Sequence, residues 1–327
     1  MSDRYLKWKA DHKCAANHGG TASSMESVGA ARMFMRSEFR HDLRYVNYLG
    51  DGDSSSFKSV QECRPYGDEC LITKMECIGH VQKRVGSRLR KLNTAYKGKK
   101  LSDGKGLGGV GRLTKVKIDT LQNYFGLAIR QNVGDIIGMQ NNLMASLYHV
   151  CSTNDNPNHH MCPSDDNSWC GYNRNKDTFR HVHRLPEAIV ELVELIYDEL
   201  TSPDLLKKCL HGMTQNNNEC LNKLIWDRCP KETFVSRLAI EDATYSAVSY
   251  FNDGNASVIR VFSELKVVPG YYTTSGLQKG DNTRIYYARR KSLDETKTRR
   301  KVLRSKRQNF QDTKENEEGN VYDKGGH

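Results

Sequence analysis

Between residues 25 and 77 the chain switches from helical to strand-like spacing and back, and this alternation restricts its fold more than any other feature. Residues 25–38 set Val28, Ala31, Met35 and Phe39 on one helical face, with Ser23 and Ser24 available as caps. Leu43 to Leu49 alternates loosely and is rich in Tyr and Val, as a strand should be. Ser55 to Cys63 has the length of a short helix, and Cys70 to Cys77 reads as a second strand. Residues 78–96 then form a basic amphipathic helix, with Val81, Val85, Leu89 and Leu92 inward and Lys83, Arg84, Arg88, Arg90 and Lys91 outward. This order predicts an α/β (α+β) fold. Ligands of open α/β sheets gather beyond the carboxyl ends of strands. The first strand-like run ends there on Asp51-Gly52-Asp53-Ser54.

Gly104 to Gly111 reads as a flexible break, after which residues 113–150 return to helical spacing. Residues 151–184 are irregular and rich in Cys, His, Asn and Asp. Helical pattern resumes at 186–200, where Ile189, Val193 and Ile196 share a face, at 203–211 and at about 217–228. Ser257 to Val268 reads as strand-like, and residues 288–327 as a basic and then acidic tail without fixed structure.

Charge is placed unevenly. The net charge of +11 is made by two blocks: residues 83–117 hold twelve Lys/Arg against one acid, and residues 284–307 hold eleven against two. Positive charge concentrated in this way suits a polyanion, whose phosphates give salt-sensitive affinity independent of sequence. Solvated helical faces are the other reading. A 37% hydrophobic fraction and a mean hydropathy of −0.72 imply that part of the chain is exposed or disordered. The first residues carry no apolar leader pattern, and no run approaches the roughly 18 apolar residues of a membrane span, so a soluble, intracellular protein is expected. In that setting ten cysteines favour free thiols or metal ligands over disulfides.

Three groups of residues can carry chemistry. Asp51 at a strand end is a hard oxygen donor suited to Mg²⁺ or Mn²⁺, and Asp53, two residues on along extended backbone, points to the same side. The same four residues also make an ordinary turn. Glu219, opening a helical pattern after Gln215-Asn216-Asn217-Asn218, shares a stripe with Asn222 and Lys223, and is equally suited to complement a helix N-terminus. The third group is soft: Cys77 and His80 after the second strand, and a dense stretch of His149, Cys151, His159, His160, Cys162, Cys170, His181 and His183. Cys162 and Cys170 with two histidines, taken as His159 and His160, suit a Cys₂His₂ structural zinc site; Cys77 and His80 suit either zinc or a structural pair. Gly106 to Gly111 matches a dinucleotide-binding spacing, but no strand precedes it, and a DNA-contacting loop fits the basic surroundings better. Arg289-Arg290-Lys291 and Arg299-Arg300-Lys301 read as a nuclear localisation or nucleic-acid tail, or as a solvated one.

Several strings recur here in a set order. They are Cys14, Asn17 and His18 through Met25-Glu26; Leu43-Arg44-Tyr45 through Asp51-Gly52-Asp53-Ser54; Glu76-Cys77 with His80, Lys83 and Arg84; Gly111-Arg112-Leu113-Thr114; Leu121-Gln122-Asn123-Tyr124; Ser168-Trp169-Cys170; Thr214-Gln215-Asn216 through Glu219; and Ile225-Trp226, Pro230-Lys231, Phe234-Val235 and Phe251-Asn252. The set resembles the Mutator-like transposase domain of animal mobile elements, over roughly residues 5–290.

The resemblance implies a partial RNase H-like core that begins after its third strand, with a mostly helical insertion and a disordered basic tail. The expected divisions are 1–97 for the first part of the core, 98–200 for the insertion, 201–287 for the core part with the acidic helix, and 288–327 for the tail. By matching position, Asp51 is the second and Glu219 the third acid of a DDE triad using Mg²⁺ or Mn²⁺; the first acid has no match in this sequence. Lys83, Arg84, Arg88, Arg112 and Lys115 are the expected DNA contacts. Implied partners are DNA and a second copy or a full-length transposase, in the nucleus and without a membrane. Metal-dependent strand cleavage and transfer, incomplete without the first acid, is the expected activity. A non-catalytic DNA-binding or assembly remnant is the alternative.

Overall fold

In the computed structural model, which describes residues 2–11, 17–52, 55–164, 168–181, 185–293, 295–297, 299–300 and 302–303, the elements divide into two compact units, Met1–Asn218 and Glu219–His327. Helix dominates both. The first unit opens with α1 (Asp3–Asp11), which is not expected from the sequence, and then follows the expected alternation, with the first expected helix divided in two: α2 (Ser24–Met35), α3 (Ser37–His41), β1 (Asn47–Gly50), α4 (Ser55–Cys63), β2 (Thr73–Glu76) and α5 (Ile78–Ala95). It continues through α6 (Lys115–Gln131), α7 (Ile136–Cys151), α8 (Gly171–Arg174), α9 (Glu187–Leu200) and α10 (Pro203–Lys207). Then α11 (Asn216–Arg228) leads into the second unit, which contains α12 (Arg237–Asp253), α13 (Ala256–Glu264) and α14 (Tyr271–Ser292).

β1 and β2 are parallel, with Asn47 opposite Thr73 and Gly50 opposite Glu76, and α4 provides the crossover that parallel neighbours require. Both strands are shorter than their patterns predict. Under them lies a small core of Ala30, Phe34, Val60 and Tyr66, flanked by Tyr45 and Tyr48. The expected inward face of the first helix is wrong, since Met35 and Phe39 are exposed. The face that faces inward runs Ser27, Ala30, Phe34, Ser37, and two of its four members are serines that apolar periodicity cannot see. Ser27 hydrogen-bonds Ser55 and Ser56 of α4, and Ser37 is fully buried against the Tyr66 hydroxyl at 2.7 Å. The Tyr66 hydroxyl also accepts from the Tyr45 amide at 2.8 Å, so it ties α3 to the segment before β1.

The larger core is a helical bundle. Val81, Val85 and Leu89 of α5 are buried as their spacing predicts, against Leu121, Phe125 and Ile129 of α6, Met139, Leu143 and Leu147 of α7, and Ile189, Val193 and Tyr197 of α9. α5 and α6 approach closely at two glycines. A Cβ on Gly86 would lie 1.7 Å from Gln122 Oε1 of α6, and one on Gly126 would lie 2.2 Å from Gln82 Oε1 of α5, so each helix leaves room for the other's glutamine. Residues 97–114 make a turn-rich connection that seats Leu107 and Leu113 in this core, where a flexible break is expected from sequence.

In the second unit the strand-like run is a helix. Within α13 the half-buried Val258, Ile259 and Phe262 follow helical spacing, whereas strand alternation would put Ile259 and the exposed Val261 on one side. Its start is fixed by Asp281 of α14, whose carboxylate accepts from the amides of Asn255 (2.9 Å) and Ala256 (3.3 Å); an anion there complements the helix dipole and offsets the modest helix preference of valine and isoleucine. Residues 288–292, expected in the tail, complete α14, and residues 304–327 lie outside the described part. Asp281→Ala should cost about 0.5–2 kcal/mol, the range for losing a helix cap. Hydrogen exchange should then accelerate at the amides of 255–259 and stay unchanged in α5 to α7; unchanged exchange at 255–259 would show that the carboxylate does not hold α13.

Candidate functional site

The carboxyl end of the two-stranded sheet is built around a buried carboxylate. Glu76, the last residue of β2, is 5% exposed, with Lys74 Nζ at 3.8 Å and Arg84 Nη2 of α5 at 2.7 Å. The same Arg84 nitrogen donates to the Asp51 carbonyl at 3.0 Å, so one guanidinium ties the turn after β1 to the end of β2. Gly52 makes the approach possible. Its φ is +99°, and a Cβ there would lie 1.7 Å from Arg84 Nη2.

A third segment is stitched to the same edge. Glu76 donates its amide to the Lys208 carbonyl (2.9 Å), and Ile78 donates to the Met213 carbonyl (3.3 Å). Gln215 closes the arrangement: its side chain donates to the Leu49 carbonyl at 3.1 Å and its backbone amide to the Cys77 thiol at 3.4 Å. The residue before α11 is thereby fastened to the ends of both strands.

Asp51 is exposed just beyond β1, and Asp53 lies outside the described residues. Glu219 is exposed one turn into α11, in the second unit, and Lys223 of its expected stripe pairs with Asp227 at 3.2 Å. Cys77 is buried before α5 with His80 in the first turn, and no third metal-ligating side chain gathers with them among the described residues.

The other soft ligands do converge. His149 near the end of α7, His159, Cys162 and Cys170 bring one ligand atom each within 4.8 Å of all the others. The two Nδ1 atoms are 3.2 Å apart, and the four sulfur to nitrogen distances run from 3.5 to 3.8 Å. His160, the expected second histidine, faces outward with Nδ1 on Asn158 Oδ1 at 2.6 Å, because neighbouring side chains of one turn cannot both face the sulfurs. His149 takes the position instead. Its sequence signal is the four-residue step from Ala145, which packs against both cysteines, along one face of α7. Tyr172 stacks on His159 at 4.2 Å, and Trp169 meets His149 edge-on at 5.1 Å. Burial, followed by repulsion from His149 and His181, lowers the His159 pKa to about 4, and burial pushes the Cys162 thiol up. His183 lies outside the described residues.

A family model of the Mutator-like transposase matches residues 3–170, more than half of the chain. The chain belongs to this family. No curated protein and no solved structure gives a significant match. The matched part of this Mutator-like transposase sequence takes in the Asp51 turn, the Glu76–Arg84 pair and all four converging His and Cys ligands, while Glu219 lies beyond it.

The basic block of the chain is sorted by residue type. Each of its arginines is matched to an acid: Arg84 to Glu76, Arg88 to Glu199, Arg90 to Asp119 and Arg112 to Asp103. Arg112 is 7% exposed, and its hydrogen bond holds the Asp103 carboxyl below the usual carboxylate range. That pair therefore persists above the ordinary carboxylate pKa and is lost only as pH falls through the depressed value. Lys83, Lys91, Lys97, Lys100, Lys105 and Lys115 are exposed.

Gly52→Ala should cost about 1–3 kcal/mol, through strain at positive φ and displacement of Arg84, and lower the denaturation midpoint of the chain. Asp51→Ala, which keeps the carbonyl that Arg84 uses, should leave the midpoint near wild type. Equal midpoints for Gly52→Ala and wild type would remove the brace from the account.

Proposed function

We propose that this Mutator-like transposase chain handles DNA through the carboxyl edge of an RNase H-like core, with Asp51 and Glu219 as carboxylate ligands of Mg²⁺ or Mn²⁺ and Asp53 assisting. The observation that carries the reading is the Asp51 turn: an exposed carboxylate beyond a parallel strand, on a backbone held by Arg84 and Gly52. The donor set fits a hard divalent cation. Asp51 offers oxygen, whereas Glu76 is committed to Arg84 and Lys74. A bound cation would supply Lewis-acid activation and charge neutralisation at a scissile phosphate. The chain's own part is to present the carboxylates and to bind the DNA backbone, for which exposed Lys83 and Lys115 are the foremost candidates. Arg88 at the surface can exchange Glu199 for a phosphate, while Arg84 and Arg112 act first as braces. The runs at 289–291 and 299–301 are read as a nuclear address. No described helix is long and apolar enough to cross a membrane.

A second reading is favoured by the sheet. The two strands are held by packing on α2 and α4, but no third strand pairs with them among the described residues, and an unpaired strand edge is a place where another chain can add. On this reading the chain binds DNA and assembles with a second copy or a full-length transposase without cutting.

Nicking of supercoiled plasmid in Mn²⁺, by wild type, Asp51→Ala and Glu219→Ala at two salt concentrations, separates the two. Nicking lost in both variants supports the metal-ligand roles. Salt-sensitive binding without nicking supports the assembly reading, and neither binding nor nicking overturns both. Lys83→Ala and Lys115→Ala should each reduce the slope of log affinity against log salt by about 1.

A further inference from the structure

We propose that His149, His159, Cys162 and Cys170 form a structural zinc site, and that Asn154, acting through His181, locks His159 in the tautomer that zinc needs. The geometry of the four atoms is the first support. Zinc bound at about 2.0–2.1 Å to nitrogen and about 2.3 Å to sulfur, at tetrahedral angles, sets the nitrogens about 3.3 Å apart and each nitrogen about 3.6 Å from each sulfur. The observed separations are 3.2 Å and 3.5–3.8 Å. Cys162 and Cys170 are free thiols, and all four positions of the tetrahedron are filled by protein. A closed set of two sulfurs and two imidazoles is the pattern of structural zinc, and Mg²⁺ or Ca²⁺ would find no oxygen ligand.

The second support is independent and begins from a donor that cannot be misassigned. The backbone N–H of His181 points at Asn154 Oδ1 (3.1 Å), which fixes that atom as the oxygen of the amide. His181 Nδ1, 2.8 Å from the same oxygen, must then carry a proton and donate it. As a neutral ring, His181 is left with a lone pair on Nε2, which lies 2.8 Å from Nε2 of His159. His159 therefore donates from Nε2, and its Nδ1, facing the cysteines, is the bare nitrogen. Metal-bound histidines are characteristically oriented by such an outer hydrogen bond.

The location gives the site work to do. Among the described residues between the end of α7 and the start of α9 there is one short helix, α8, and a long connection with so little regular structure is uncommon in a compact unit. The ligands join α7 to two separate points of that connection. Cys170 is also the cap of α8, with its sulfur accepting the Asn173 amide at 3.5 Å.

The test uses the full chain, purified with reductant and zinc and then dialysed. One zinc per chain is expected by elemental analysis, and Co²⁺ exchanged into wild type should give the intense visible absorption of a tetrahedral thiolate site, a readout that needs no variant. His149→Ala and Cys170→Ser should lose the metal, whereas His160→Ala should keep it. Asn154→Leu and His181→Phe should retain stoichiometry but yield zinc to a chromogenic chelator about 10–100-fold more readily. A metal-free wild type with no cobalt spectrum, or a Cys162–Cys170 disulfide persisting in reductant, would overturn the site. Metal lost in His160→Ala but kept in His149→Ala would overturn the ligand set, and unchanged affinity in Asn154→Leu would overturn the relay.

Discussion

A carboxylate taken out of water at the end of a strand must be neutralised, and much of the first unit is arranged by how Glu76 meets that demand. A buried, unpaired charge costs several kcal/mol, and Arg84 answers it from the second turn of α5. Because Nη2 carries two hydrogens, the nitrogen that neutralises Glu76 can also donate to the Asp51 carbonyl. The conformation of the Asp51 turn is thus a by-product of burying Glu76. Gly52 follows in turn, since any side chain there would occupy the space of the guanidinium. The pair is partly open to water on the arginine side, so its net stabilisation is modest; its main effect is geometric.

The helical bundle carries the weight that so small a sheet cannot. α5 serves both, with Ile78, Val81, Val85 and Leu89 in the bundle and Arg84 turned back to the strands. The reciprocal Gly86–Gln122 and Gly126–Gln82 contacts let α5 and α6 pack closely along their buried stripes. A displaced α5 would carry Arg84 off the strand ends, so packing on one side of the helix sets the precision of the polar arrangement on the other.

Element type was legible in the sequence wherever the buried stripe is apolar, as in α5, α6, α7 and α9. It was misread where burial is polar or is imposed from a distance. The serines of α2 and α3 are inside because they find hydroxyl partners 28 or more residues away, and the inward face was therefore assigned one register off. Residues 257–264 look like a strand because β-branched residues crowd there, and the carboxylate that makes them helical belongs to Asp281. The soft-ligand cluster was visible as a composition that held all four members, and three of them were chosen as ligands from sequence. Choosing between His149 and His160 required knowing which side of α7 meets the cysteines. Glu76 was passed over as a site element because nothing local announces that a strand-end glutamate will be buried.

The arrangement of charge follows from the different chemistry of arginine and lysine. Four arginines among residues 83–117 each find a carboxylate, and three of those carboxylates lie outside the block: Glu76, Asp119 and Glu199. The formal excess of that block therefore overstates the field it presents to a polyanion. What is left outward is mostly lysine, a strongly hydrated point charge on a flexible stem, suited to sequence-independent phosphate contacts and poorly suited to reading bases. The arginines, with fixed forks and weaker hydration, hold helices and turns in register. The basic block thus separates into arginines that are paired with carboxylates and hold the scaffold, and exposed lysines that make up most of the remaining positive surface.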